Sequence, residues 1–554
     1  MAAFIQSRAI RARAKEQLQI LGYRGASNTG EEPYTSSHVT SSDRSRHNPY
    51  EEEARYPDRS IVVGDCPYKN MAGVSVQTTP TGERFFQVDW ESTSDAANPH
   101  NWPLGKRIRT LLLLDVVAAV VTIASAIESP VAPQAAQFFH ASETLQAFSG
   151  TGSYLIGFGL GALLAAPASE ILGRYYVYLY SLCVCECWLI GSALAQDSAS
   201  LAVFRFLAGV FASAPLTVAG GSMSDLWNAR EMTFTFPMFA VVGFGGPVLA
   251  PVIASYIGQS KSLSWRWAEW LIVILNGLCI LLVVLGMEET FAPRLLQTKA
   301  KEFRHSTGDG RFRTAKEVDE AGLGSLLEKN FTRPFRLALE PIVLFLALYN
   351  TIVYVIMFTF LVGYPYIFEQ TYGMSQGLKN LCFLGLLVGT LLSAALIPFV
   401  WTKTEQLRLE KGDDGSGRSI PQESRLIFAM FGAPLLPIGL LWMGWTDVPT
   451  ISVWSPLAAS VTIGFGTICI FMSSYMYIID SYQMYAASAL TFMTMIRYIV
   501  AGVMTAVGIP MYRNLGTHWA LTALGCISAA VTPVPQFSSL TDAMRELSEN
   551  QHFG

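Results

Sequence analysis

Six ionisable residues lie where ionisable residues are costly. Asp115, Glu128, Glu186, Arg205, Glu269 and Arg497 all fall inside long apolar stretches. A charge inside a hydrocarbon layer needs a partner, a proton or a water-filled cavity, so each is a candidate functional group. Two chemistries suit these types: a carboxylate that exchanges a proton, and a guanidinium that binds an anion or pairs with a carboxylate. Asp115 and Glu269 lie close to the ends of their stretches, where side chains snorkel to water, and are expected to be structural. Asp115 and Glu128 are about 20 Å apart along a helix and cannot act as a carboxylate pair. Glu128, in Ser125-Ala126-Ile127-Glu128-Ser129-Pro130, and Arg205 lie at similar depth. They pair if their helices are neighbours, and a buried carboxylate that alternates between a cation and a proton is a coupling device. A static salt bridge is the competing reading. Glu186 and Arg497 lie near mid-membrane. Glu186 can take backbone or hydroxyl partners on a neighbouring helix. Arg497 keeps its charge, so ligand contact and internal pairing both stay open. Tyr349, Asn350 and Tyr354 cluster in one stretch, Tyr475 and Tyr477 in another. Asn350 and Tyr354 share a helix face. A mostly apolar cavity with a few polar groups suits an amphiphilic ligand; tyrosine helix packing is the alternative.

The elements that must hold these residues are membrane spans. The chain has 554 residues, 51% hydrophobic and 14% charged, against about 25% charged in soluble domains. About 20 apolar residues cross a bilayer as a helix. Six such stretches lie within 111–287 and six within 341–534, divided by a polar, Lys- and Arg-rich segment, 288–340. Spans 11 and 12 are expected at 484–510 and 517–534. The pattern implies an all-helical membrane protein of two six-helix lobes with a site between them.

Other classes recede. A net charge of −4 argues against a nucleic-acid partner. The eight Cys are scattered. Of Cys183, Cys185 and Cys187, only the first and last share a helix face, which argues against a metal site. None of the seven His lies inside a span core, which excludes a buried histidine relay. There is no phosphate-binding G-x-x-x-x-G-K-[ST] loop, no cofactor motif, and no nucleophile–base constellation of an enzyme. No cleavable signal peptide is expected. The basic, amphipathic start, 1–21, reads as part of a tail.

Lys and Arg distribution sets orientation. One set of connections holds Arg174, Arg230 and the many basic residues of 288–340, with Lys403, Arg408, Lys411, Arg418 and Arg425 after span 8. The other holds only Lys261, Arg266, Lys379 and Arg513. Both termini are therefore expected in the cytosol, and the sequon at Asn330 should stay unglycosylated. The expected organisation is a largely disordered cytosolic tail over 1–104, a first lobe over 105–287, a cytosolic linker over 288–340, a second lobe over 341–535 and a C-terminal tail over 536–554. Charged, Ser- and Pro-rich composition is the reason for expecting disorder in the tail.

Ala166-Pro167-Ala168-Ser169-Glu170-Ile171-Leu172-Gly173-Arg174 resembles the signature loop of the major facilitator superfamily. Further segments resemble its fungal twelve-span drug:proton antiporters. They are Asn98-Pro99-His100-Asn101-Trp102-Pro103 before span 1, Arg205-Phe206-Leu207-Ala208-Gly209 in span 4 and Asp225-Leu226-Trp227 with Arg230-Glu231 after it. Gly246-Pro247-Val248-Leu249-Ala250-Pro251 in span 5 resembles the antiporter motif, with Gly246, Pro247 and Pro251 as its matching residues. The resemblance covers about residues 85–535. It implies spans 1, 4, 7 and 10 around a central cavity, which places Glu128, Arg205, Asn350, Tyr354 and Tyr477 in lining helices. It also implies alternating access and a cytosolic latch of Glu170, Arg174, Asp225 and Arg230. Tyr175 and Tyr176 follow Arg174 where relatives often carry a basic residue and Pro. Ala250 and Ala254 stand where Gly is usual, and Glu128 where many relatives are uncharged.

The expectation is a secondary active transporter that exports small organic molecules, in exchange for protons, across the plasma membrane. The vacuolar membrane is the alternative location. Its partners would be the substrate, protons and lipid, with the chain acting as a monomer. A gradient-independent facilitator and a non-transporting receptor are the rivals. A transporter should tolerate loss of residues 1–90; a receptor should not.

Overall fold

In a computed structural model of the chain, residues 1–29, 71–78, 84–319, 332–410, 422–482 and 486–533 are described. Two compact units emerge. One combines 1–104 with 288–324, the other 105–287 with 325–554.

The second unit holds the spans. Spans 1 to 6 are Leu104–Phe139, Glu143–Leu172, Arg174–Ala193, Ser198–Leu226, Ala229–Gln259 and Trp267–Gly286. Spans 7 to 10 are Pro341–Thr371, Gln376–Gln406, Ser424–Thr446 and Trp454–Tyr482. Spans 11 and 12 follow one another without a connecting loop, over Ala486–Val531, 46 residues. At 1.5 Å per residue that is about 70 Å, over twice the hydrocarbon thickness. The helix is broken at Gly516, with φ 76° and ψ 162°. A Cβ there would meet nothing within 4 Å, so glycine is required by its backbone conformation alone. The break falls between the expected spans 11 and 12, and two spans result.

Boundaries follow local chemistry. Asp197 caps span 4, accepting from the Ser200 backbone N–H at 2.7 Å. Asn228 and Glu231 form a reciprocal capping box at the start of span 5. Each span buries one face and offers lipid another. Span 6 exposes Ile274, Leu278, Leu281 and Leu285 and buries Ile272, Asn276, Cys279 and Val283. Small residues let backbones touch inside each half. A Cβ on Gly209 of span 4 would lie 2.1 Å from the Tyr154 carbonyl of span 2. In the second half, a Cβ on Gly464 of span 10 would lie 2.3 Å from the Leu386 carbonyl of span 8. The same close pairing thus occurs at matching places in the two lobes.

The first unit corrects the expected tail. Residues 2–29 are helical, and β1 (Val74–Thr78) pairs antiparallel with β2 (Arg84–Val88). β2 pairs in parallel with β3 (Phe312–Arg313), which comes from the inter-lobe segment. Ala14, Val74, Phe86 and Val88 pack with Ala300, Phe303 and Phe312. Gln6 exchanges two hydrogen bonds with the Glu289 backbone, at 3.0 and 2.8 Å. The apolar partners of the tail lie some 200 residues downstream, so its own composition understates its order. The described residues of 1–104 are folded rather than disordered; residues 30–70 and 79–83 lie outside the described set.

Candidate functional site

Arg205 lies two turns into span 4 and is 0% exposed. Helix side chains lean toward the helix N-terminus, so its guanidinium reaches back to the end where span 6 begins. There Nη2 donates to Glu269 Oε1, and Nη1 donates to the Ala124 carbonyl of span 1 at 2.9 Å. Glu128 Oε2 lies 3.7 Å from Nε, without a hydrogen bond to either carboxylate oxygen. The Tyr154 ring stands 5.7 Å from the guanidinium carbon. The expected Glu128–Arg205 pair is present, but the expected access of Glu269 to water is overturned. Glu269 is 0% exposed and is Arg205's hydrogen-bonded partner. It enters at the first turn of span 6 on the inward face, so closeness to a helix end does not bring it to water. Gly150 of span 2 backs Glu128: a Cβ there would fall 1.6 Å from Oε2. Asp115 is likewise buried rather than snorkelled, with Oδ1 unpaired.

Arg497 of span 11 forms a second centre. It is 1% exposed and is surrounded by aromatic rings. Its guanidinium carbon lies 4.4 Å from the Tyr354 ring, 5.0 Å from Tyr475, 5.1 Å from Tyr498 and 5.2 Å from Phe471. Nε and Nη1 have no hydrogen-bond acceptor. The remaining candidates separate from these two centres. Glu186 accepts from Asn276 of span 6 at 2.7 Å, within the first lobe. Asn350 donates to its own helix, at Leu346 O, 3.0 Å. The Tyr349 hydroxyl faces Thr532 of span 12. Tyr477 is buried in span 10.

Bonds between the lobes close both ends of the bundle. At the end bearing the inter-lobe linker, Arg174 pairs with Asp225 at 3.1 Å and donates to Ser169 Oγ at 2.5 Å. Both contacts stay within the first lobe. Arg230 instead crosses to Glu405 of span 8 at 3.3 Å. Glu170 lines a cleft with Pro334, Ser488 and Thr491 of the second half. Arg425 was not a site candidate in the sequence, where it counted only as a loop charge. It is 2% exposed and ties Asp480 of span 10 at 2.5 Å to span 5, through Thr233 Oγ1 at 2.5 Å and the Ala229 carbonyl at 2.9 Å. The signal available was an Arg starting span 9 and an Asp ending span 10, both at one membrane face. At the opposite end, Gln376 accepts from Gln134 at 2.9 Å and donates to the Pro130 carbonyl at 2.7 Å. The Gly377 backbone N–H donates to Gln259 at 3.1 Å. With both ends bridged, the conformation is occluded. Span 5 carries Gly246, where a Cβ would meet Thr122 Oγ1 of span 1 at 2.1 Å. Pro247 and Pro251 lie in the same helix, which stays continuous through them.

Twelve spans in two lobes, with charged centres enclosed between closed ends, define a membrane transporter. Residues 114–506 match the family model of the Major Facilitator Superfamily, and the chain belongs to that family. It is 41% identical to the MFS-type transporter kojT of Aspergillus flavus, over 87% of this chain and 86% of kojT. It is 31% identical to the major facilitator superfamily multidrug transporter FLU1 of Candida albicans, over 86% of this chain and 78% of FLU1. Among solved structures it is similar to the proton:xylose symporter XylE from E. coli, with a TM-score of 0.56 and 14% identity over 78% of this chain and 95% of XylE. At that identity the likeness is one of fold.

Proposed function

We propose that this chain exports small organic molecules across the plasma membrane in exchange for protons. The observation that carries the proposal is the buried group Glu128–Arg205–Glu269. Two carboxylates face one guanidinium out of reach of water, which leaves one negative charge in surplus. An isolated buried charge is costly, and a proton on one carboxylate balances it. Glu128 is the carrier, because it lacks hydrogen bonds while Glu269 holds Arg205. A proton that arrives on Glu128 loosens it from Arg205 and span 1 from span 4. Its loss restores the attraction. The Arg230–Glu405 and Arg425 bonds at one end, and the Gln376 bonds at the other, are the two gates that alternate. The Lys and Arg distribution supports cytosolic termini and a cytosolic linker. The name of FLU1, a multidrug transporter, supports drug-like small molecules as the cargo class.

The test is flux in proteoliposomes of the full chain, with a panel of small organic acids, amines and neutral compounds. Accumulation against a concentration gradient is expected only with a pH gradient imposed. Flux indifferent to the pH gradient would make the protein a facilitator and overturn the antiport reading.

A further inference from the structure

Among the described residues, the carboxylates nearest the middle of the bundle already face protein groups. Glu128 and Glu269 face Arg205, and Glu186 accepts from Asn276. The engagement of Arg497 is of a different kind. Rings, not carboxylates, surround it, and it forms no ion pair among the described residues. The Tyr475 hydroxyl lies against it and hydrogen-bonds with Thr494 Oγ1 at 2.7 Å, but Nε and Nη1 stay unpaired. Aromatic faces stabilise a cation from above and below. They accept nothing from the N–H groups at the rim of the guanidinium plane. A guanidinium keeps its proton under all ordinary conditions, so those N–H groups await an anionic acceptor.

Beyond Phe244, beside the cage, lies a narrow apolar slot. Phe244 of span 5 stands edge-on to Tyr354 at 5.5 Å and packs against Phe471 at 4.6 Å. The same Phe244 lines a cavity with Val248, Met357, Phe360, Leu386 and Thr390. A cationic head bounded by rings thus lies one aromatic ring away from a slot lined by both lobes, which must widen to admit the body of a cargo.

We propose that Arg497 and its ring cage bind the acidic group of the cargo, and that the cargo is a small planar organic anion. Its oxygens accept from Nε and Nη1, its conjugated ring stacks among Tyr354, Phe471 and Tyr475, and its apolar remainder occupies the slot beyond Phe244. Glu128, beside Arg205, handles the proton and Arg497 the cargo. This inference rests on the export reading above and adds the chemical class of what is exported.

The test titrates the purified full chain in nanodiscs with benzoate, salicylate and cinnamate, with their uncharged amides, and with benzylamine as the cation, read by intrinsic tryptophan fluorescence. At least one acid should bind tenfold or more tightly than its own amide. Arg497→Gln should remove that preference and leave amide affinity within about twofold. Tyr354→Leu should weaken acid and amide alike. Equal affinity of acids and amides, tighter binding of benzylamine, or no binding of any acid overturns the proposal, and the wild-type comparison decides this even where a variant fails to fold. Proteoliposome flux separates the two readings. Proton-driven movement of amides or amines without preference for acids removes the anion assignment and keeps export. Absence of proton-driven movement of any compound removes export, while the nanodisc titration still decides whether Arg497 selects acids.

Discussion

Glu128 and Glu269 flank the same guanidinium but hold it differently, so their glutamine variants should differ. In Glu269→Gln, Arg205 loses its hydrogen-bonded carboxylate and keeps, besides the Ala124 carbonyl, only the Glu128 carboxylate at 3.7 Å from Nε. Removing one partner of a buried pair costs about 3–5 kcal/mol. For a unit as large as the span-bearing one, about 1 °C per kcal/mol applies, so the melting temperature should fall by about 3–6 °C. In Glu128→Gln the Arg205–Glu269 bond survives. The attraction lost, about 4 kcal/mol at 4 Å and an effective dielectric of 20, is offset by the repulsion from Glu269 that is lost with it. The net change should be below about 1 kcal/mol. Glu128→Gln should therefore melt like the wild type and lose pH-driven accumulation, whereas Glu269→Gln should melt early. The assays are thermal melting of the purified full chain in detergent and proteoliposome flux with and without a pH gradient. If Glu128→Gln melts as early as Glu269→Gln, or still accumulates cargo on the pH gradient, the division of roles is wrong.

Gly150→Ala would drive a methyl group into the Glu128 carboxylate, with a cost of about 1–3 kcal/mol from overpacking. Melting should recover in the double variant Gly150→Ala/Glu128→Ala. Arg425→Gln removes two charged hydrogen bonds across the lobes, together about 3 kcal/mol, roughly a hundredfold in the closing equilibrium. A cysteine placed at Phe236, which is buried one turn further along span 5 against Tyr475 of span 10, with Cys66, Cys187 and Cys526 replaced by serine, should be protected from a water-soluble maleimide in the parent protein and labelled many times faster in the Arg425 variant. Deleting residues 1–90 strips Val74, Phe86 and Val88 from Phe303 and Phe312. Protein abundance should fall several-fold on immunoblots, while flux per surviving molecule stays unchanged.

The spans were legible because a bilayer demands long apolar helices, and the division at Gly516 was legible from the gap between two apolar runs. The Glu128–Arg205 pair was legible from depth. Glu269 was not, because depth was read as access to water, whereas the face of the helix decides what a first-turn residue meets. Arg425 was hidden for a related reason: counted among loop cations, it turns inward at the start of span 9. The order of the tail was illegible from its composition because its apolar partners belong to another segment. The ring cage around Arg497 draws on spans 7, 10 and 11, and no local spacing encodes such a meeting.

The pairing of β2 with β3 constrains how the chain is made. Phe86 and Phe312 face one another in register, yet 312 − 86 = 226 residues separate them. At about 5–20 residues per second, synthesis of that interval takes about 10 to 45 s. During this time the tail strands have emerged and the six spans of the first lobe must be delivered to the membrane. Val74, Phe86 and Val88 are exposed throughout, as a nascent hairpin without its core. A chaperone that shields this hairpin should leave only once β3 has been synthesised, so completion of the first unit marks the moment when the first six spans are behind the ribosome.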